Sequence, residues 1–115
     1  MTRATILAML LCSPALAQYA TNARIDGWLD RTAMLESGNK PAAVGDKGRS
    51  RGAYQIQERP WRHYSRVPWR IGAHDPVESR RVARLILLDC ERACKRHHKA
   101  ATFANVRWYY QTGGY

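Results

Sequence analysis

The stretch from Asp75 to His97 constrains this chain more than any other. Asp75 precedes Pro76, and Glu78 lies three residues beyond Asp75. This is a capping pattern in which a side-chain oxygen meets orphan backbone N–H groups and proline sits in the first turn, where its missing donor is not needed. Beyond that start, Val82, Leu85, Ile86, Asp89/Cys90, Ala93, Cys94 and His97 hold one apolar stripe through about six turns. At 1.5 Å per residue such a helix is roughly 30 Å long, the width of a small domain. The pattern predicts a mostly α fold with this helix at its centre.

The N-terminal segment reads as a leader. The chain opens Met-Thr-Arg, runs apolar from Ala4 to Cys12 and then reads Ser-Pro-Ala-Leu-Ala before Gln18, the layout of an export signal cleaved after Ala17. Leu11 stands before Cys12, where a lipid-anchor signal carries Gly or Ala, so the anchor is disfavoured. The apolar run is far short of the roughly 20 residues that cross a bilayer, and no transmembrane segment is expected. The organisation expected is a signal peptide at 1–17 and one domain at 18–115, in a secreted or periplasmic setting. That domain has 98 residues, enough for one modest core and too few for a second domain.

Removing the leader takes away Arg3 and leaves 18 Lys and Arg against nine acids. A balance near +9 favours an anionic partner. Export points to the negatively charged cell envelope, and no base-reading motif points to nucleic acid. The cations are scattered along the chain, which also suits simple solubility.

From Asn22 a helical pattern begins, with Ile25, Trp28, Leu29, Thr32, Leu35 and Glu36 on one face, and Gly38 ends it. Residues 40–57 are rich in Gly and Pro and predict a loop or short β-hairpin. A brief helix around Pro60–Arg66 and a last helix from Ala100 to Gln111, closed by Gly113-Gly114, complete the expectation.

Glu36 is either a solvated charge that closes the helix or the proton donor of a hydrolytic site, and the expected function turns on which. A glutamate on an apolar stripe loses water, and its place in the last turn sets it at the negative end of the helix dipole. Both effects disfavour the charged form and raise the pKa. A carboxylic acid that keeps its proton near neutrality can protonate a glycosidic oxygen. After it come Gly45, Gly48 and Gly52, which permit close backbone approach of a polymer, interleaved with Asp46, Ser50 and Gln55.

Glu-Ser-Gly at 36–38, Gly-Asp-x-Gly at 45–48 and Gly-Ala-Tyr-Gln-Ile at 52–56 together resemble successive motifs of the lysozyme-like superfamily. The likeness is closest to goose-type lysozymes and soluble lytic transglycosylases, and it covers roughly Ile25 to Trp61. It implies an α+β lysozyme-like fold and cleavage of the bond between N-acetylmuramic acid and N-acetylglucosamine in peptidoglycan glycan strands. Glu36 would be the catalytic acid, with Asp46 assisting, and Ser37, Ser50, Tyr54, Gln55, Tyr110 and Gln111 would bind substrate. The family's third motif has its counterpart in Tyr110-Gln111-Thr112-Gly113, where Gln111 replaces asparagine. Tyr110 would orient Glu36. Hydrolysis needs a second carboxylate, whereas ring closure by the sugar's own hydroxyl needs one glutamate, and the residues fit both. The alternative is a non-catalytic cationic module for wall binding or secretion assembly.

Cys90 and Cys94 share a helical face with His97 and His98. A bridge within a regular helix strains disulfide geometry, and one straight helix cannot bring four ligands to a tetrahedral zinc. Core thiols come first, a bridge second and a metal third. Trp61, Trp69, Trp108, Tyr109 and Tyr110 are core or a sugar-stacking floor. Arg49, Arg51, Arg59 and Arg62 surround the glycine-rich segment and could meet acidic stem peptides. No cofactor, no metal and a monomer are expected.

Overall fold

The computed structural model describes residues 14–115. Of the expected leader, residues 1–13, Cys12 among them, lie outside the described residues. Residues 14–17 open the first helix, α1, which runs Pro14–Ser37. Its start therefore lies before the predicted Asn22. Proline suits a first turn, and Ala15, Leu16, Ala17 and Gln18 are good helix formers with no breaker among them.

Three short strands follow: β1, Val44–Gly45; β2, Ser50–Arg51; β3, Ile56–Gln57. They form one antiparallel sheet in the order β1-β2-β3, with Gly45 opposite Ser50 and Ser50 opposite Gln57. Then come α2, Glu58–Tyr64, α3, Trp69–Gly72, α4, Pro76–Arg96, and α5, Phe103–Thr112. The fold is mostly α with a small β part. Among the described residues, no helix is long and apolar enough to cross a membrane.

Helix α4 is central and packs against both α1 and α5, which also meet each other through Trp28 and Phe103. It begins as the sequence requires: the Asp75 carboxylate accepts from the Glu78 N–H at 2.7 Å, and Pro76 occupies the first turn. Val82, Ala83, Ile86, Leu87, Cys90, Ala93 and Cys94 are buried along it. His97 departs from the expected stripe. It caps the helix, exposed, and its ring stacks on Tyr109 with centroids 5.8 Å apart. Thr102 caps α5 by accepting from the Asn105 N–H, and Gly113, at φ +71°, ends it in the left-handed conformation.

On α1 the buried face is Ile25, Trp28, Leu29, Thr32 and Ala33. Leu35, expected there, is 59% exposed. The i, i+3, i+4, i+7 progression from Ile25 and Leu29 runs to Ala33 and Glu36 and passes over Leu35. Arg80 reaches Asp30 at 2.9 Å and Arg24 reaches Glu91 at 2.8 Å, pinning α1 along α4.

Helix α2 begins two residues ahead of the predicted Pro60, with Trp61 fully buried. Its indole donates to the Val67 carbonyl at 2.7 Å. Helix α3 was absent from the expectation. The sheet docks on the α3–α4 turn at Gly52, whose φ is +83° and where a Cβ would fall 1.7 Å from the Ala73 carbonyl oxygen.

Candidate active site

Helix α1 delivers Glu36 to the wall of a cleft of about 450 Å³. Gly38, at φ +69°, and Asn39, at φ +60°, turn the chain away immediately afterwards, their N–H groups bonding the Met34 and Ala33 carbonyls. The turn lets the sheet fold over the helix end and form the opposite wall. Asp46, Ser50 and Gln55 line it from the sheet, and Tyr110, Gln111 and Tyr115 from α5 and beyond.

The Glu36 side chain is 19% exposed. Burial strips its carboxylate of water and raises the pKa above the ordinary value; Arg107 opposes this by charge and contact, and the Asp46 charge adds to the rise. Burial is the larger effect. One Arg107 guanidinium nitrogen stands 3.1 Å from a Glu36 oxygen, itself buried and without an aligned hydrogen bond. The pair is thus an ion contact of imperfect geometry inside the cleft wall. Sequence reading missed Arg107, whose one signal is its position three residues before Tyr110 on the same helix face.

The cleft's other groups are held by local backbone. Asp46 and Lys47 are both left-handed, at φ +49° and +59°, and Gln55 is at +51°. Non-glycine residues adopt that conformation at a cost, and such residues gather at functional sites. The exposed Asp46 accepts a hydrogen bond from the buried Ser50 hydroxyl, which ties the 3₁₀ turn Asp46–Gly48 to β2. The Gln55 amide nitrogen donates to the Gly52 carbonyl at 2.9 Å. Its oxygen lies where a Cβ on Gly45 would be, at 2.3 Å, so glycine there makes room for it.

Of the residues proposed for the site, Glu36, Asp46, Ser50, Gln55, Tyr110 and Gln111 come together on this cleft. Ser37 and Tyr54 do not line it. The Ser37 hydroxyl donates to the Ala53 carbonyl at 2.7 Å, splicing α1 to the segment after β2. Tyr54 is buried, in the turn between β2 and β3 where the next residue, Gln55, is left-handed, and its hydroxyl accepts from Arg80 at 3.0 Å. Tyr110 also departs from expectation: its hydroxyl donates to the Tyr54 carbonyl at 2.6 Å rather than to Glu36. Desolvation, with the neighbouring Glu36 charge as a smaller cause, holds its pKa well above normal.

No protein-family model, curated protein or solved structure matches this chain.

The arrangement offers a desolvated carboxyl with raised proton affinity at Glu36, an acceptor at Asp46 and amide groups at Gln55 and Gln111 along one open trough. Among the described residues, no group of three or more His, Cys, Asp or Glu is placed to hold a metal. Cys90 and Cys94 are free, buried thiols, and burial pushes Cys90 up to about 12. Trp61, Trp69 and Tyr109 are core, whereas Trp108 is 52% exposed, away from the cleft lining.

Proposed function

We propose that this chain cleaves peptidoglycan glycan strands, as a muramidase or a lytic transglycosylase of lysozyme-like fold, with Glu36 as general acid and base. The observation that carries the reading is a desolvated carboxyl with a raised pKa in the wall of an open, polar cleft. The three motifs between Glu36 and Ile56 support it independently.

In this mechanism a strand lies along the cleft with its glycosidic oxygen at Glu36. The protonated carboxyl donates to that oxygen as the bond to the anomeric carbon breaks and positive charge grows on the sugar. The resulting carboxylate then takes a proton, either from water attacking the anomeric carbon or from the sugar's 6-hydroxyl as it closes an anhydro ring. Asp46 faces the same trough and stabilises the developing charge. The protein acts after export, at the anionic cell envelope.

The Glu36–Arg107 contact favours a second reading, a wall-binding or secretion-assembly module without activity, because a cation beside the acid stabilises the form that cannot donate. Digestion of purified sacculi separates the two. Release of reducing or anhydro muropeptides supports the enzyme, and retention on sacculi without product supports the module.

A further inference from the structure

A second hollow, of about 410 Å³, adjoins the cleft and shares Gln57 with it. Four cations from three elements border it: Lys47 and Arg49 from the 3₁₀ turn and its exit, Arg59 from α2, and Arg70 from α3. All four are exposed. Arg49 donates its Nε to the Asp46 carbonyl at 3.1 Å, which does not neutralise its charge. Lys47, Arg59 and Arg70 form no ion pair among the described residues. Glu58, on the same rim, is paired with Arg62 at 3.4 Å. The hollow therefore sets four cations against the single carboxylate of Glu58, which is itself paired with Arg62, and carries a surplus of positive charge.

Its floor is fixed. Trp69 is 9% exposed, its indole donates to the Ile56 carbonyl at 2.9 Å, and the Arg51 guanidinium lies 5.1 Å from its ring centre. With that ring covered, the hollow has no stacking surface for a nucleobase. Like charges converging on one concavity focus a positive potential that an anion relieves. Because the hollow opens beside Gln57, the anion it suits is one tethered to a polymer in the cleft, held there at high effective concentration.

We propose that this hollow binds the carboxylates of the acidic peptide carried by the glycan strand in the cleft, with Arg59 and Arg70 as its principal contacts. This rests on the glycan-cleaving reading above and adds to it a preference for peptide-bearing substrate. Each guanidinium forms charge-assisted hydrogen bonds with a carboxylate, and the peptide sets the register of the strand relative to Glu36.

The test is the double variant Arg59→Gln/Arg70→Gln, whose changes are exposed. Initial rates are compared on intact sacculi and on strands stripped of peptide by an amidase. The expected result is a KM raised by about tenfold on intact sacculi with kcat kept, and no change on stripped strands. Equal losses on both substrates, or no loss, would overturn the proposal. Should the wild type cleave neither substrate, the glycan-cleaving reading fails by itself, and the hollow is judged by titration with a tripeptide bearing two free carboxylates, followed through the Trp69 indole resonance. Binding lost in the double variant sustains the anion site; equal or absent binding, or inorganic polyphosphate binding more tightly than the peptide, overturns it.

Discussion

Arg107 on α5 places a guanidinium nitrogen 3.1 Å from the carboxylate of Glu36 at the end of α1, the two side chains equally withdrawn from water. The contact joins two helices that each pack on α4, and it sets a cation against a carboxyl that burial drives toward its neutral form. The proton affinity of Glu36 thus reflects a contest between lost hydration and a neighbouring positive charge.

Removing that charge decides the sign. Arg107→Met takes away the stabilisation of the ionised carboxylate, so the Glu36 pKa rises further. A general acid works below its pKa, and the alkaline limb of the kcat/KM profile is expected to move to higher pH. A limb that stays in place, or moves down, would show that Arg107 does not act on Glu36.

Asp46→Asn tests the opposite influence. The Asp46 charge raises the Glu36 pKa, so its loss should shift the alkaline limb to lower pH. The Ser50 hydroxyl keeps an amide oxygen as acceptor, which preserves the turn. If Asp46 also steadies the sugar cation, kcat falls at every pH; a shift without that fall would confine its role to tuning Glu36.

Gly52 tests how the sheet is docked. An alanine there would bring its Cβ to 1.7 Å from the Ala73 carbonyl oxygen and would hold φ +83° with a side chain present. Gly52→Ala should destabilise the fold by about 2–4 kcal/mol, read as a lowered melting temperature. An unchanged melting temperature would mean that the sheet does not rest on the α3–α4 turn.

Cys90 gives a chemical probe of the core. Burial, with the Asp89 charge and the Cys94 thiol as smaller contributors, pushes its pKa up to about 12. The reactive thiolate is therefore scarce in the native state at neutral pH. Iodoacetamide should leave both cysteines unmodified until denaturant opens the core, and rapid labelling of native protein would contradict the packing of α4 against α1 and α5.

How much was legible follows from how local each signal is. Helix α4 could be read because Asp75, Pro76 and Glu78 fix its start and Val82 to Cys94 repeat at helical spacing. The same repetition identified the Ile25–Thr32 face of α1. Its beginning was not legible, since Ala15 to Ala17 serve equally as leader and as helix. Helix α3 spans four residues after Pro68, too few to show a period. The facing of single side chains is settled by tertiary contact: Gln55 reaches the cleft while Tyr54, its neighbour, is buried with its hydroxyl on Arg80. Arg107 gave the weakest signal, because one arginine among many cations becomes special only when a helix remote in sequence sets it beside Glu36.

Whether Glu36 supplies the proton for glycan cleavage is tested by product release from purified sacculi by Glu36→Gln, with circular dichroism on the same preparation. Glutamine keeps the shape and the polar contact but has no acid proton, so the helical signal should match the wild type while muropeptide release falls by at least about a thousandfold. Wild-type release from a folded Glu36→Gln protein would contradict the account.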